Sequence, residues 1–277
     1  MSMLAKPLHV ITIATDENNW LQNWRESANK WGYTYTILGK GQEWNGFSLW
    51  TKLILEFLQT RSFDEIILIV DAYDLLFTGP PREVLEKYRK FNTSIVVGGE
   101  DMCMLNCHEH SSDVNNEKYK WVNSGCVIGR VDALADMFTY VMKISPEDDQ
   151  VGIAKYLDLK PSAMTIDGNQ TIVANIRRSG ELKCIEGGRF QHQETHTVPA
   201  MVHMPFMYAD FGMRSEMVRH HALDNYKPPP SFTYGRGLIL HLYKHLTTNK
   251  VYTPIRIALW LTLTFVLFLF AYVFIFR

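Results

Sequence analysis

Cysteine is scarce: Cys103, Cys107, Cys126 and Cys184 are the four in 277 residues, too few and too scattered for a disulfide framework. There is no charge imbalance either. The chain has 28 lysines and arginines against 29 aspartates and glutamates, for a net charge of -1. That excludes a strongly basic nucleic-acid binder acting through its overall field. Internal repeats and low-complexity tracts are absent, and 47% hydrophobic with 13% aromatic residues excludes an acidic disordered chain. A mean hydropathy of -0.11 excludes a polytopic membrane protein. The amino terminus has no basic segment followed by an apolar core of leader length, so the chain is expected to lack a secretory leader.

Hydrophobicity is concentrated at the other end. From Ile257 to Phe276 there is no charged residue, and about 20 apolar residues match the span of one bilayer-crossing helix. A buried core helix would carry a polar stripe; this segment carries none. Lys244, Lys250 and Arg256 precede it and Arg277 follows. The positive-inside bias therefore predicts a single-pass tail anchor with a cytoplasmic soluble domain. The expected divisions are a globular domain over 1–218, a juxtamembrane connector over 219–254 containing Pro228-Pro229-Pro230, and the anchor over 255–277. In the cytosol the acceptor triplets beginning at Asn92 and Asn169 would stay unmodified.

Between those ends, strands and helices alternate. His9–Thr15 reads as a strand, with Asp16 capping a helix whose apolar positions run from Trp20 to Trp31 before Gly32 stops it. Tyr33–Leu38 alternates as a second strand. A glycine-marked loop around Trp44 leads into a helix over Phe47–Leu58. Ile66–Val70 is continuously apolar, the pattern of a parallel strand covered on both faces. Pro80-Pro81 opens a helix to Arg89, Ser94–Val97 is a strand, and 101–120 is a polar loop. Trp121–Gly129 is a strand, Ala133–Met142 a helix, and Asp149 begins another. This alternation predicts an α/β open sheet flanked by helices.

The apolar run Ile66–Val70 ends directly on Asp71-Ala72-Tyr73-Asp74. Ligands of open α/β sheets gather at the carboxyl ends of strands. Two carboxylates three residues apart across a turn can converge on a hard cation such as Mg²⁺ or Mn²⁺, whose open positions take phosphate oxygens. The competing reading is that Asp71 caps the turn and Asp74 is merely solvated. Asp148 and Asp149 form a second pair, read either as a helix start favoured by the macrodipole or as groups orienting an acceptor. Asn123, Ser124 and Gly125 would let a sugar approach the backbone closely.

In order and spacing these motifs resemble the glycosyltransferase domain of the procollagen lysyl hydroxylases and the related GT-A collagen glycosyltransferases. The matching segments are Val10-Ile-Thr-Ile-Ala-Thr15, Thr36-Ile-Leu-Gly-Lys-Gly-Gln-Glu-Trp44-Asn-Gly46 and Ile69-Val-Asp-Ala-Tyr-Asp-Leu-Leu-Phe-Thr-Gly79. They continue with Val122-Asn-Ser-Gly-Cys-Val-Ile-Gly129, Asp148-Asp-Gln150 and Val202-His203. The resemblance implies a GT-A fold, a Rossmann-like open mixed sheet flanked by helices, and transfer of a hexose from a UDP-sugar. The cation would be Mn²⁺, with Mg²⁺ the other candidate, held by Asp71, Asp74 and His203. Ile13, Ala14 and Thr15, with Trp44, Ala72 and Tyr73, would meet the nucleotide; Asn123, Asp148 and Asp149 would serve sugar and acceptor. Implied partners are the UDP-sugar, a protein or glycan acceptor and, through the tail, a lipid bilayer. A homodimer is compatible with this reading, and nucleic acid is not a partner.

Two departures stand out. The family follows its metal histidine with Gly-Asn-Gly-Pro-Thr-Lys, whereas this chain reads His203-Met-Pro-Phe-Met-Tyr208. Neutralisation of the diphosphate would then fall to the cation or to another base such as Lys52 or Arg214. The family's tryptophan beyond its Glu-x-x-Cys strand end is here Met104. The length leaves no room for a hydroxylase domain, so transfer without lysine hydroxylation is expected. Two rivals remain. One is a zinc cluster at Cys103, Cys107, His108 and His110, with His192 and His196 as a helical i, i+4 pair. The other is a non-catalytic, membrane-tethered binding module on a decayed transferase fold.

Overall fold

The structure is a computed structural model that describes residues 7–102, 118–177 and 180–205. The chain divides into two compact units, Met1–Pro228 and Pro229–Arg277, and all described residues belong to the first. The expected connector and anchor, Arg214, Met104 and the Cys103–His110 cluster lie outside the described residues. No helix among the described residues is long and apolar enough to cross a membrane.

The chain runs β1 (His9–Ile13), α1 (Asn19–Trp31), β2 (Thr34–Leu38), α2 (Phe47–Leu58), β3 (Ile66–Val70), β4 (Leu75–Phe77), α3 (Pro81–Lys90) and β5 (Ile95–Glu100). It continues with β6 (Trp121–Arg130), α4 (Val131–Ile144), α5 (Asp149–Leu159), β7 (Met164–Asp167), β8 (Val173–Asn175), β9 (Leu182–Ile185), β10 (Arg189–His192) and β11 (Met201–His203). The main sheet has the order β2-β1-β3-β6-β5-β7, with β6 antiparallel to both neighbours and the other pairings parallel. This is the mixed, Rossmann-like sheet of GT-A proteins.

Burial of β3 does not report its direction. It is parallel to β1 but antiparallel to β6, where its apolar run reads as a parallel strand. Its side chains alternate into two cores. Ile67 and Ile69 pack with Trp50, Ile54 and Phe138 from α2 and α4; Leu68 and Val70 pack with Trp24, Phe77 and Met201. Layers on both faces make a strand apolar whichever way its neighbours run. Trp24 is fully buried, edge-on to Tyr35 at 5.0 Å and Phe77 at 5.1 Å. Truncating it to alanine would cost about 3–5 kcal/mol.

The helix starts are local chemistry. Asn18, not Asp16, caps α1: its Oδ1 accepts from the Trp20 N–H at 2.9 Å and the Leu21 N–H at 3.0 Å. Asp16 sits two residues too early, and its backbone is held by the Tyr73 hydroxyl. Gly32 closes the helix at φ 75°, a left-handed conformation that glycine adopts without strain. The strand expected over Ser94–Val97 runs on to Glu100 past a register shift between Val97 and Gly98. A Cβ on Gly99 would lie 2.5 Å from the Tyr119 carbonyl oxygen, so only glycine fits that extension.

A second, three-stranded sheet, β4-β11-β8, holds the far end of the domain against the first. β11 is antiparallel to β4, pairing His203 with Leu75, and parallel to β8, pairing His203 with Asn175. The Met204 N–H donates to the Asp74 carbonyl at 2.8 Å. A residue distant in sequence is thereby fixed beside the turn that follows β3.

Candidate active site

β1, β3, β5 and β7 point their carboxyl ends to one edge of the main sheet, where β6 begins. That edge collects the polar side chains. Asp71 and Asp74 lie in the turn after β3. His203 Nε2 stands 3.5 Å from Asp71 Oδ2 and 3.4 Å from Asp74 Oδ1. One ligand-type atom from each residue lies within 4.8 Å of the others. Gly125 makes room for the imidazole, since a Cβ there would sit 2.2 Å from His203 Cε1.

The donor set suits a divalent cation. His203 is buried, and its Nε2 has no hydrogen-bond partner, the state in which a buried polar atom is costly unless something else binds it. Its Nδ1 is 2.7 Å from Asn175 Oδ1. Burial alone lowers the imidazolium pKa, but the Asp74 and Asp71 carboxylates override it and raise it to about 10. The same negative field that holds a proton there would hold a cation.

Beside this triad lie two further acids. Asp149, the first residue of α5, is buried; burial raises its pKa to about 7 against the Ser124 hydroxyl bond, with Asp148 and Asp71 adding to the rise. Glu100, at the end of β5, is 5% exposed and raised to about 7, again chiefly by burial. Glu100 Oε2 accepts from Asn123 Nδ2 at 3.2 Å and Oε1 from Gln150 Nε2 at 3.0 Å, while Gln150 Oε1 accepts from the Ser124 N–H at 3.2 Å.

The sequence model of the PLOD GT domain matches residues 4–208, nearly all of the chain outside the carboxyl-terminal segment. This chain belongs to the PLOD GT domain family. It is 30% identical over 175 residues to mouse procollagen-lysine,2-oxoglutarate 5-dioxygenase 2, covering 58% of this chain and 24% of the relative. It is 26% identical over 217 residues to the Pongo abelii multifunctional procollagen lysine hydroxylase and glycosyltransferase LH3, covering 71% and 29% respectively. The chain thus spans less than a third of either relative. Among solved structures it resembles a glycosyltransferase involved in the glycosylation of the major capsid of PBCV-1, with TM-score 0.50 at 13% identity over 78% of this chain and 98% of that one. That similarity speaks to fold alone.

The end of β1 packs against the turn that follows β3. Ala14 and Ala72 pack with Leu21 against Tyr73, next to buried Ile13 and half-buried Thr15. The Tyr73 hydroxyl donates to the Asp16 carbonyl at 3.0 Å, and the Gly41 N–H ties the following loop to the Thr15 carbonyl at 3.3 Å. Trp44 is 46% exposed, its ring edge-on to Phe47 at 5.7 Å. Asn123 is drawn to Glu100 rather than to the aspartate turn. Asp148 caps α5, its Oδ1 accepting from the Val151 N–H at 3.0 Å. Lys52 is exposed and 3.7 Å from Glu56 on α2.

The paired-histidine reading fails. His192 ends β10 and His196 has φ 57° in the following turn, so they are not a helical pair. Buried His192 is satisfied by the Thr195 N–H at 3.2 Å and the Tyr119 hydroxyl at 3.3 Å. From the sequence, Glu100, Asn175 and Gln150 carry no assigned role, although Gln150 closes the matching segment Asp148-Asp-Gln150. A carboxylate closing an apolar strand through Gly98-Gly99 was the available sign for Glu100; the two amides carry no local signature.

Proposed function

We propose that this domain is a metal-dependent hexosyltransferase that moves a hexose from a UDP-sugar to a hydroxyl of a protein or glycan. The observation that carries this reading is the Asp71, Asp74 and His203 donor set, with Nε2 facing both carboxylates and hydrogen-bonded to neither, beside the buried acid Asp149. A bound Mn²⁺ would neutralise the diphosphate as UDP departs, a Lewis-acid role. The chain's own residues do the rest. The β1 end and Tyr73 offer an apolar wall and a phenol to the uracil and ribose, and Trp44 offers an exposed ring over them. Glu100 and Asn123 present a carboxylate and an amide to sugar hydroxyls. The bond from the sugar C1 to the phosphate oxygen breaks, and one from C1 to the acceptor oxygen forms. Asp149 would take the acceptor's proton, its pKa of about 7 suiting a base near neutral pH. Asp148 orients Asp149 by capping α5.

One relative's name joins procollagen lysine hydroxylase to glycosyltransferase, and a hydroxylysine-like acceptor is the corresponding proposal here. The segment Met204-Pro-Phe-Met-Tyr208 has no lysine, the feature that favours the non-catalytic alternative. UDP release from a panel of UDP-hexoses with Mn²⁺, compared with the Asp74→Ala variant, separates the two. Turnover lost in the variant supports the transferase; no Mn²⁺-dependent turnover of any donor overturns it. We also propose that residues 255–277 anchor the domain on the cytoplasmic face of a membrane. Carbonate extraction and protease protection of the full chain test this; release by carbonate, or a protected domain, would contradict it.

A further inference from the structure

The protonation pattern of His203 can be read from backbone groups whose hydrogen-bonding roles are unambiguous. The Gly99 carbonyl only accepts, and Asn175 Nδ2 and Gln170 Nε2 each lie 2.8 Å from it. The Asn175 N–H only donates, and Gln170 Oε1 lies 2.6 Å from it. Neither amide can be turned over without setting oxygen against oxygen or nitrogen against nitrogen. With Asn175 Nδ2 committed to Gly99, the atom 2.7 Å from His203 Nδ1 is an oxygen. An amide oxygen cannot donate, so Nδ1 carries the hydrogen. Whatever occupies the other side of the ring, proton or cation, the Nε2 lone pair is the one aimed between Asp71 and Asp74.

Gln170 is itself over-determined. It is fully buried at φ 53°, an unusual conformation for a residue other than glycine. Its N–H donates to the Asp167 carbonyl at 3.1 Å. The Asp167 carboxylate clamps the next strand by accepting from the N–H groups of Thr171 at 2.8 Å, Ile172 at 2.6 Å and Val173 at 3.2 Å. Two amides and a strained turn converge on one ring nitrogen.

We propose that Gln170 and Asn175 are positioning residues that lock His203 in the Nδ1–H form, setting Nε2 as a ligand before a divalent cation arrives. The proposal rests on the metal-dependent reading above. Partners of this kind, which orient a metal-binding histidine through its other nitrogen, change metal affinity by about 10–100-fold when removed.

The test is the Mn²⁺ affinity of the full chain, read from the electron paramagnetic resonance signal of free Mn²⁺. Asn175→Leu keeps size but removes the acceptor, and should weaken binding by about 10–100-fold. Asn175→Asp keeps an acceptor facing Nδ1 but sets its second oxygen against the Gly99 carbonyl, so it should bind Mn²⁺ more tightly than Asn175→Leu while losing thermal stability, a split that a purely structural role would not give. Equal affinity in Asn175→Leu overturns the relay but leaves the metal site standing. A parent protein that binds no Mn²⁺ overturns the metal-dependent reading, and the relay with it. Should Asn175→Leu fail to fold, ¹⁵N shifts of the ring-labelled parent loaded with diamagnetic Zn²⁺ decide. A protonated Nδ1 with Nε2 on the metal supports the relay; metal on Nδ1 overturns it.

Discussion

Two strand ends on the same edge of the sheet both carry aspartate, and they do opposite things. After β3, Asp71 and Asp74 turn their oxygens toward His203 Nε2, which no hydrogen bond satisfies. At the end of β7, Asp167 is buried but spends its oxygens on three backbone N–H groups. Burial of an acid is therefore no mark of chemistry by itself. What separates a site from a scaffold is whether the carboxylate oxygens are taken up by backbone N–H groups or are turned toward an imidazole nitrogen with which they could share a cation.

The sharpest way to break this contrast is to remove one acid from each end. Asp74→Ala should cut UDP release by at least about a hundredfold, since a Lewis acid contributes several kcal/mol, while circular dichroism shows the fold retained. Asp167→Ala should instead lower stability by about 2–4 kcal/mol in denaturant titrations, because buried N–H groups lose their acceptor. The reverse pattern would invalidate the assignment of roles. Next in size is Gly125→Ala. A Cβ 2.2 Å from His203 Cε1 must displace the ring, so Mn²⁺ affinity should fall by about tenfold or more with a smaller loss of melting temperature. Unchanged affinity would mean that the ring is not a ligand.

A pH scan of the metal-free protein sharpens the same comparison. Glu100 and Asp149 keep protons up to about pH 7 that the unfolded chain releases near 4.5 and 3.8. The native state thus binds more protons than the unfolded state in that window, so stability falls as pH rises through about 7. His203, raised from 6.5 to about 10, adds stability below its unfolded value that is lost as pH rises through about 10. Thermal midpoints that climbed across this range would contradict the burial of these groups. The smallest effect is expected from Asp148→Ala, which removes a cap worth about 1 kcal/mol and should slow turnover less than Asp149→Asn. Comparable rate losses would promote Asp148 from cap to reacting group.

Much of this was legible along the chain. The bounds of α2 and β3 fall where the apolar pattern put them, because periodicity and end signals are local. The Asp71–Asp74 turn shows in the residues themselves, and the family resemblance implies His203 as its companion. The direction of β6 relative to β3 was not legible, because a strand covered on both faces has the same composition either way. Nor was the engagement of Asn123 by Glu100, which depends on the register across a bulge.

The sequence by itself determined the alternation of strands and helices, the acid turn after β3 and the apolar tail, all features encoded within a few residues of one another. Only the tertiary structure decided that His203 lies against that turn, and that Asn175 and Gln170 fix which ring nitrogen faces it. Those contacts are made by β11 pairing between β4 and β8. Strand pairing is specified by the fit of whole layers, not by any signal the participating residues carry alone.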